Sequence, residues 1–559
     1  MILNKYKQFQ ILMLVMQVLG ACGGSGGDAT LSCQLGAGKS CQASTSDASI
    51  IWNLDQVKPG EEYIVIARSQ MKPEGTKIIR HDFSFQTSTP SAPVAREEAE
   101  NIRRILGAQR GLPSVSQNDT GVPIQTPRSS ASLPNQNITG DSVEFFIPNP
   151  SDYVSQLDGK VIPYYVQSPD TRPMSGRTKN LEEYAVVPNL FRMLVDPAYL
   201  SSSSTTSGFR IYADKLKDCL TQVMPRTMDW IGHPEDVDGV PEINMSISDF
   251  TGAQADRTLG LFSSRDRFRR EGSRALLDSN FSESIYLAPS MDASRSCSTS
   301  AHELQHMVSF DRKVLSRLSA RDRDNIKKAT DIPGEYLGLN EAYSHLVEEL
   351  SMESQGVSEH IYNFWTSPSG SSFALESVFS DYKGNSRSRG LNLLLLYFAI
   401  KKAGGRLSPD DTVTKTLIAN LINSQKIGFE NIAEQLGIDE SQFLEDFFRQ
   451  LALSLFDAQA ARDFIPALES GRNLENQAVS LGFQINERSS DISRIRYSPP
   501  FGHPYQFELL PLQNSSNMNL PAQGLVFMRY IVPDQLDEKA KVKFRAGGKA
   551  FSLFLVRIH

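Results

Sequence analysis

The sequence predicts an α+β protein with a central region of mixed strands and helices, a helical region after it, and β-rich regions at both ends. The central prediction rests on a strand, helix, strand order of apolar patterns between residues 209 and 310. Apolar residues at helical spacing predict helices at 391–403, 413–425, 429–436 and 441–455, and the tail alternates apolar and polar residues. A chain of 559 residues, 40% hydrophobic and 22% charged, is long enough for several domains.

The N-terminus combines a short apolar run with a cysteine that follows it closely. A weakly basic start precedes an apolar run, 11–19, that is too short to span a bilayer. Leu19-Gly20-Ala21-Cys22 resembles a lipobox, in which the cysteine is lipidated and becomes the mature N-terminus; an ordinary secretory signal cut near Ala21 is the alternative. The resemblance implies a lipid anchor in the bacterial cell envelope, at the outer membrane or cell surface, with 23–27 as a flexible tether.

Strand-like runs and a polar stretch divide the rest of the chain. Strands at 49–54, 62–67 and 81–85 indicate a small β module, and the stretch from 111 to 141 is poor in large apolar residues. The net charge of −7, without a basic cluster, argues against a nucleic-acid partner. The predicted segments are signal peptide 1–21, tether and β module 22–95, linker 96–141, central region 142–365, helical subdomain 366–475 and C-terminal β domain 476–559.

The central region is predicted to begin with a strand at Phe209–Ala213 and a helix at Lys215–Ile231, with Pro225 as a kink. Two further strands, at 242–249 and 284–289, precede a second helix. Between them, Asp236-Val-Asp238-Gly239 resembles part of a calcium-binding loop. The full EF-hand ligand set is missing, so we interpret it as a turn, with calcium as the alternative.

That second helix carries the chemistry. Ser298, Thr299 and Ser300 are candidate N-caps for a helix that contains His302-Glu303-Leu-Gln-His306. Residues four apart leave the same helix face, so His302 and His306 can bind one zinc ion while Glu303 holds the water beside it. This H-E-x-x-H pattern is typical of zinc peptidases.

A catalytic zinc takes three protein ligands and leaves one position open. The segment 339–350 predicts a helix on which Glu341, His345, Glu348 and Glu349 are the candidate third ligands. Glu349 lies about 80° round the helix from Glu341, so both are not expected at one ion. We favour Glu341, because it lies near the helix start and can approach the first helix.

The H-E-x-x-H motif at 302–306 and the helix motif around Glu341 resemble those of the hyicolysin-type neutral zinc metallopeptidases of the gluzincin clan. The resemblance covers about 205–455 and includes the Asn-Glu pair at Glu341. It implies a zincin-like catalytic domain with a helical lower subdomain, Zn²⁺ on His302, His306 and Glu341, and Glu303 as the general base for a protein or peptide substrate. A metzincin is disfavoured, because Ser309 and Arg312 replace the Gly and third His of that pattern.

The resemblance departs from the clan at one position. Thermolysin-like members have an Asp four residues after the ligand Glu, where it supports a zinc-bound His; here that position is His345, a possible supporting residue. We expect an endopeptidase. A surface-binding adhesin built on a peptidase fold and an exopeptidase of the same clan are the alternatives.

Export makes disulfides possible, and lipidation would consume Cys22. The four other cysteines allow three pairings. We expect Cys33 with Cys41, which are close in sequence, and Cys219 with Cys297; free buried thiols are the alternative.

Overall fold

The chain has mixed helix and sheet content. The computed structural model describes residues 29–33, 39–45, 49–54, 57–70, 80–88, 142–150, 154–157, 160–163, 176–201, 206–250, 258–268, 279–289, 292–319, 321–322, 326–329, 332, 334–352, 360–361, 364, 382–408, 410–454, 510–511, 515–521, 524–533, 542–548 and 550–558. The predicted signal peptide, Cys22 and the predicted linker 96–141 lie outside these residues.

The strands are β1 (Ala29–Cys33), β2 (Ser40–Thr45), β3 (Ser49–Leu54), β4 (Glu62–Ser69), β5 (Arg80–Thr87), β6 (Ser142–Ile147), β7 (Val154–Leu157), β8 (Lys160–Pro163), β9 (Arg177–Val187), β10 (Phe191–Val195), β11 (Ile243–Ile247), β12 (Gly260–Phe262), β13 (Ser284–Leu287), β14 (Leu510–Pro511), β15 (Ser515–Pro521), β16 (Leu525–Ile531), β17 (Val542–Gly548) and β18 (Phe551–Arg557). The helices are α1 (Pro197–Ser201), α2 (Thr206–Ile231), α3 (Ala293–Lys313), α4 (Ile326–Ala329), α5 (Leu337–Met352), α6 (Tyr382–Ala403), α7 (Thr412–Asn423), α8 (Gly428–Leu436) and α9 (Glu440–Ser454). None of these helices is long and apolar enough to cross a membrane.

The central region is a six-stranded sheet in the order β12-β13-β11-β10-β9-β6. β10, β11 and β13 run parallel, and the remaining strands are antiparallel to their neighbours. α2 and α3 supply buried apolar side chains to the core that this sheet shares, among them Leu216, Met224, Leu304 and Val308. α3 contacts both β12 and β13, so the helix with the two histidines lies against the edge of the sheet.

The strand predicted at Phe209–Ala213 is wrong: these residues belong to α2. Phe209, Ala213, Leu216 and Leu220 are buried, and their separations of four, three and four residues place them on one helix face. Ile211 is 57% exposed, as expected for the opposite face. The long-range helical period therefore overrides a short run of strand-forming residues. The helix also continues through Pro225.

The separate N-terminal β module and C-terminal β domain predicted from the sequence are wrong as domains, although their strands are present. Strands from both ends form two five-stranded sheets, β1-β3-β17-β5-β15 and β14-β16-β4-β18-β2. β4 lies between β16 and β18, with Ile64 opposite Arg529 on one side and Val556 on the other. The N-terminal strands need these partners to complete their ladders, so the two ends form one β unit around a shared core.

The helical region follows the prediction closely. The helices predicted at 413–425, 429–436 and 441–455 are α7, α8 and α9, each within two residues at both ends. α6 begins at Tyr382 rather than at residue 391. The β unit packs against this region: Phe448 of α9 and Phe554 of β18 have ring centroids 4.4 Å apart, and Arg68 lies over the ring of Phe429.

Candidate metal centre

α3 begins about two turns earlier than the predicted caps suggest. Its N-cap is Asp292, whose side chain accepts a hydrogen bond from Arg295 N at 2.8 Å. The predicted caps Ser298, Thr299 and Ser300 lie inside the helix, where Ser300 Oγ donates to the carbonyl one turn back, Ser296 O. Because the charged side chain of Asp292 caps the helix, these hydroxyls are not needed as caps.

A disulfide fixes α3 to α2. Cys219 and Cys297 are bonded, as predicted, with their Cα atoms 6.2 Å apart. Cys41 is disulfide-bonded as well, while the side chain of Cys33 lies outside the described residues. The cross-link holds the helix about one and a half turns before the first histidine.

His302, His306 and Glu341 come together between α3 and α5. Glu341 Oε2 lies 3.5 Å from His302 Nε2, and Glu341 Oε1 lies 3.6 Å from His306 Nε2. The three ligand atoms lie within 4.8 Å of one another. Two atoms bound tetrahedrally to one zinc ion at about 2.1 Å lie about 3.4 Å apart. The donor set and its spacing therefore fit zinc.

The electrostatics of this group favour a cation. Burial lowers the pKa of His302, but the carboxylates of Glu348 and Glu341 outweigh it and raise that pKa to about 10. Burial and the neighbouring His302 lower the pKa of His306 to about 3. Burial would raise the pKa of Glu341, yet Arg389 and the two histidines hold it well below its usual value. Positive charge is thus stabilised at His302, while His306 is kept as a neutral nitrogen donor.

Glu348 takes the supporting position that the sequence left open. His302 Nδ1 donates to Glu348 Oε1, and Ser298 Oγ donates to Glu348 Oε2 at 3.1 Å. Burial opposes ionisation of Glu348, but His302 and His345 hold its pKa far below the usual value. An ionised acceptor at Nδ1 fixes the ring tautomer and leaves Nε2 free to bind a metal.

His345, the residue at the clan's supporting position, acts one step further out. Its Nδ1 lies 3.3 Å from Glu348 Oε1, and Arg389 Nη1 donates to its Nε2 at 2.8 Å. Arg389 Nη2 also lies 2.8 Å from Glu341 Oε2. His345 and Arg389 therefore hold the two carboxylates rather than His302 itself.

A second set of candidate metal ligands consists of His302, His345 and Glu348, whose ligand atoms also lie within 4.8 Å of one another. It shares His302, whose Nδ1 faces Glu348 and whose Nε2 faces Glu341. One ring can serve both groups only through different nitrogens, and Nδ1 already donates a hydrogen bond. Glu349, the remaining candidate, faces away from both and accepts a hydrogen bond from Tyr397.

His306 has its own support on α5. Ser344 Oγ lies 3.1 Å from His306 Nδ1, and it also donates to Gln305 Oε1 at 2.5 Å. A hydroxyl has one proton, so with that proton on Gln305 it accepts from His306 Nδ1–H. Gln305 Nε2 in turn donates to Asn340 Oδ1 at 3.2 Å. This chain directs His306 Nε2 toward Glu341.

Glu303 lies between the histidines and the edge strand. Phe262 N of β12 donates to Glu303 Oε2 at 2.9 Å. A Cβ on Gly260 would lie 2.3 Å from Thr299 Cγ2 and 3.4 Å from Glu303 Cγ, so only glycine lets β12 approach the helix this closely. Burial, with a smaller contribution from Glu341, raises the pKa of Glu303 to about 7 although His302 opposes it. This value suits a group that exchanges protons near neutral pH.

Sequence reasoning placed His302, Glu303, His306 and Glu341 together, and the structure brings all four into one site. It did not identify the support from Glu348 and Arg389, although the spacing of seven residues from Glu341 to Glu348 already indicates a shared helix face. The backbone donor Phe262 N gave no sequence signal, because every residue but proline carries an N–H.

Comparisons with known proteins give only distant similarity. No protein-family model matches the chain, and no curated protein does. Among solved structures it is similar to an M1 zinc metallopeptidase from Deinococcus radiodurans, at 12% identity and a TM-score of 0.26, over 55% of this chain and 59% of that one. A point mutant of that enzyme aligns at 11% identity and the same TM-score, over 55% and 60%. The chain thus spans about three-fifths of those structures, and the case for a function rests on the site itself.

Proposed function

We propose that the protein is a zinc-dependent endopeptidase whose metal ligands are His302, His306 and Glu341. The observation that supports it most is that both oxygens of Glu341 face the Nε2 atoms of the two histidines at 3.5 and 3.6 Å. When bound, zinc supplies Lewis acidity, which polarises a carbonyl group and makes water easier to deprotonate.

Glu303 is the proposed general base. Its Oε2 accepts from Phe262 N, which leaves Oε1 to take a proton from the attacking water. The protonated carboxyl group then gives this proton to the leaving amine nitrogen, so that the carboxylate is restored. A pKa near 7 suits both transfers, because neither protonation state is strongly disfavoured.

The position of the edge strand β12 supports the proposal that the substrate is a peptide. β12 is the outer strand of the central sheet among the described residues, and it is antiparallel to β13. An extended peptide can add to such an edge by main-chain hydrogen bonds, which read no particular sequence. Because Phe262 N already contacts Glu303, a peptide along β12 would pass beside the proposed base.

Zinc content and casein hydrolysis, measured with and without a chelator, test this function. We expect about one zinc per chain and hydrolysis that the chelator abolishes and added zinc restores. A zinc-free chain that hydrolyses nothing would favour the adhesin alternative. Cleavage of a peptide with a blocked N-terminus separates an endopeptidase from an aminopeptidase, which needs a free amine.

We also propose that the protein is anchored through lipid on Cys22. The support is Leu19-Gly20-Ala21-Cys22 after a short apolar run. β1 begins at Ala29, so the anchor would hold the β unit near the membrane surface. Mass spectrometry of membrane-extracted protein should find an acylated Cys22 as the first residue. A soluble product with an unmodified N-terminus would rule this out.

A further inference from the structure

Three carboxylates meet on the side of the central sheet at which α2 ends. Asp236 and Asp238 lie in the turn after α2, and Glu283 directly precedes β13. One oxygen from each lies within 4.8 Å of the other two. Two oxygens bound to one Ca²⁺ at about 2.4 Å lie at most about 5 Å apart, so the spacing fits a calcium ion.

Glu283 supplies a second, independent observation. It is 3% exposed, and its Oε2 is fully buried with no hydrogen-bond partner among the described residues. Its Oε1 is already used, by Val237 N at 2.8 Å and by Arg267 Nη1 at 2.5 Å. A buried carboxylate oxygen without a partner is costly, and a cation on this oxygen would remove that cost.

The charges around the group do not balance. The buried guanidinium of Arg267 pairs with Glu283 and with Asp311 of α3. Asp236 and Asp238 form no ion pair among the described residues, and only backbone N–H groups donate to them, Gly239 N at 2.7 Å and Val240 N at 2.8 Å. Two carboxylates therefore face a third without a cation of their own.

We propose that Asp236, Asp238 and Glu283 bind one Ca²⁺ ion. The donors are all oxygen atoms, which hard cations prefer over the histidine-containing set of the zinc site. Exposure rises from buried Glu283 through half-buried Asp238 to exposed Asp236, so the ion can enter from solvent and retain water ligands. The turn seen in the sequence is confirmed, with Gly239 at a φ of +84°, and Glu283 supplies the third ligand that the sequence alone could not locate.

The ion would fasten this turn to the helix of the zinc site. Glu235 N donates to Asp311 Oδ2 at 2.8 Å, and Arg267 also bonds to Asp311 and to Glu235 O. Asp311 lies on α3, nine residues after His302. The proposed role is thus structural, and it does not depend on whether the protein is a peptidase.

The test is calcium binding to the full-length protein with its zinc site saturated. Equilibrium dialysis with radioactive calcium, up to about 10 mM, should find one Ca²⁺ per chain, and calcium should raise the thermal midpoint. Asp236→Asn and Asp238→Asn keep the oxygens that accept from Gly239 and Val240 and remove only the charge. Each should weaken calcium binding at least about tenfold and lose the thermal shift.

Two internal checks make the result specific. Without calcium, both variants should be at least as stable as the wild type, because removing one charge relieves repulsion among the carboxylates. Asp322→Asn, at a turn whose aspartate pairs with Ser319, should keep the full calcium response. Zinc content should stay unchanged in all three variants.

Several results would overturn the proposal. The wild type could show no calcium binding and no thermal shift. Either loop variant could retain the full shift, or Asp322→Asn could lose it equally. A shift produced by Mg²⁺ and not by Ca²⁺ would overturn the assignment of the ion.

Discussion

Glu303 should support activity at a cost in folding stability, and the substitution Glu303→Gln should separate the two effects. Glu303→Gln keeps a side-chain oxygen that can accept from Phe262 N, but it removes the charge and the proton-accepting group. Activity should fall by at least about 100-fold, because the water loses its base. Zinc content should stay that of the wild type, since Glu303 is not among the three proposed ligands.

The stability change can be worked out for chelator-treated protein. Burial raises the pKa of Glu303 from about 4.5 to about 7. Below the unfolded pKa the carboxyl group is protonated in both states, so it has no effect on folding. Between pH 4.5 and 7 only the unfolded chain gives up the proton. The resulting loss of folding stability in the wild type reaches about 3 kcal/mol above pH 7.

The assay is urea unfolding of the two metal-free proteins across this pH range. The advantage of Glu303→Gln over the wild type should grow by about 2 kcal/mol from pH 5 to pH 8. Glu144→Gln, on an exposed position of β6, is the control and should stay within about 0.5 kcal/mol of the wild type. A difference that does not change with pH, or a less stable variant at pH 8, would refute the reasoning.

Other side chains of the site give separate outcomes. Glu341→Ala should lose zinc and activity together, while His345→Ala should weaken zinc binding at most about 10- to 100-fold; metal analysis of both purified variants checks this, and the reverse result would make His345 the ligand. Glu348→Gln should weaken zinc binding about 10- to 100-fold, because it replaces the charged acceptor that orients His302. Competition with a coloured chelator measures this, and unchanged affinity would contradict the role. Replacing Cys219 and Cys297 with Ser should lower the free energy of unfolding by about 4 kcal/mol, because their bond closes a loop of 78 residues. Urea unfolding measures this, and a decrease in the free energy of unfolding below about 1 kcal/mol would contradict the prediction.

The sequence could predict the site because its main parts are local. His302, Glu303 and His306 lie within five residues of one helix, and helical spacing alone puts the two rings on one face. Glu341 needed one further step, the assumption that a second helix approaches the first. Glu348 lies on that same helix, but which nitrogen of His302 it would meet depends on how the two helices are rotated about their axes.

The β unit could be predicted only in part. Alternation of apolar and polar residues identifies individual strands, such as β3 and β16, but does not say which strand pairs with which. β3 pairs with β17 from the far end of the chain, and no turn connects the two strands to reveal the pairing. The strand predicted at Phe209 is wrong for the opposite reason. Five residues fit a strand pattern locally, whereas the helical period is visible only over the full 26-residue helix.

The interleaved β unit also dictates the order in which the molecule can be completed. Among the described strands β18 comes last in sequence order, yet it lies between β2 and β4 from the first part of the sequence. Until it emerges, both early strands present unpaired edges that other chains could join. A chain cut before Phe551 keeps the residues of the proposed zinc site but lacks the strand that joins β2 to β4. Pairing with β18 covers the facing edges of β2 and β4, so loss of this strand would leave backbone N–H and C=O groups that promote aggregation.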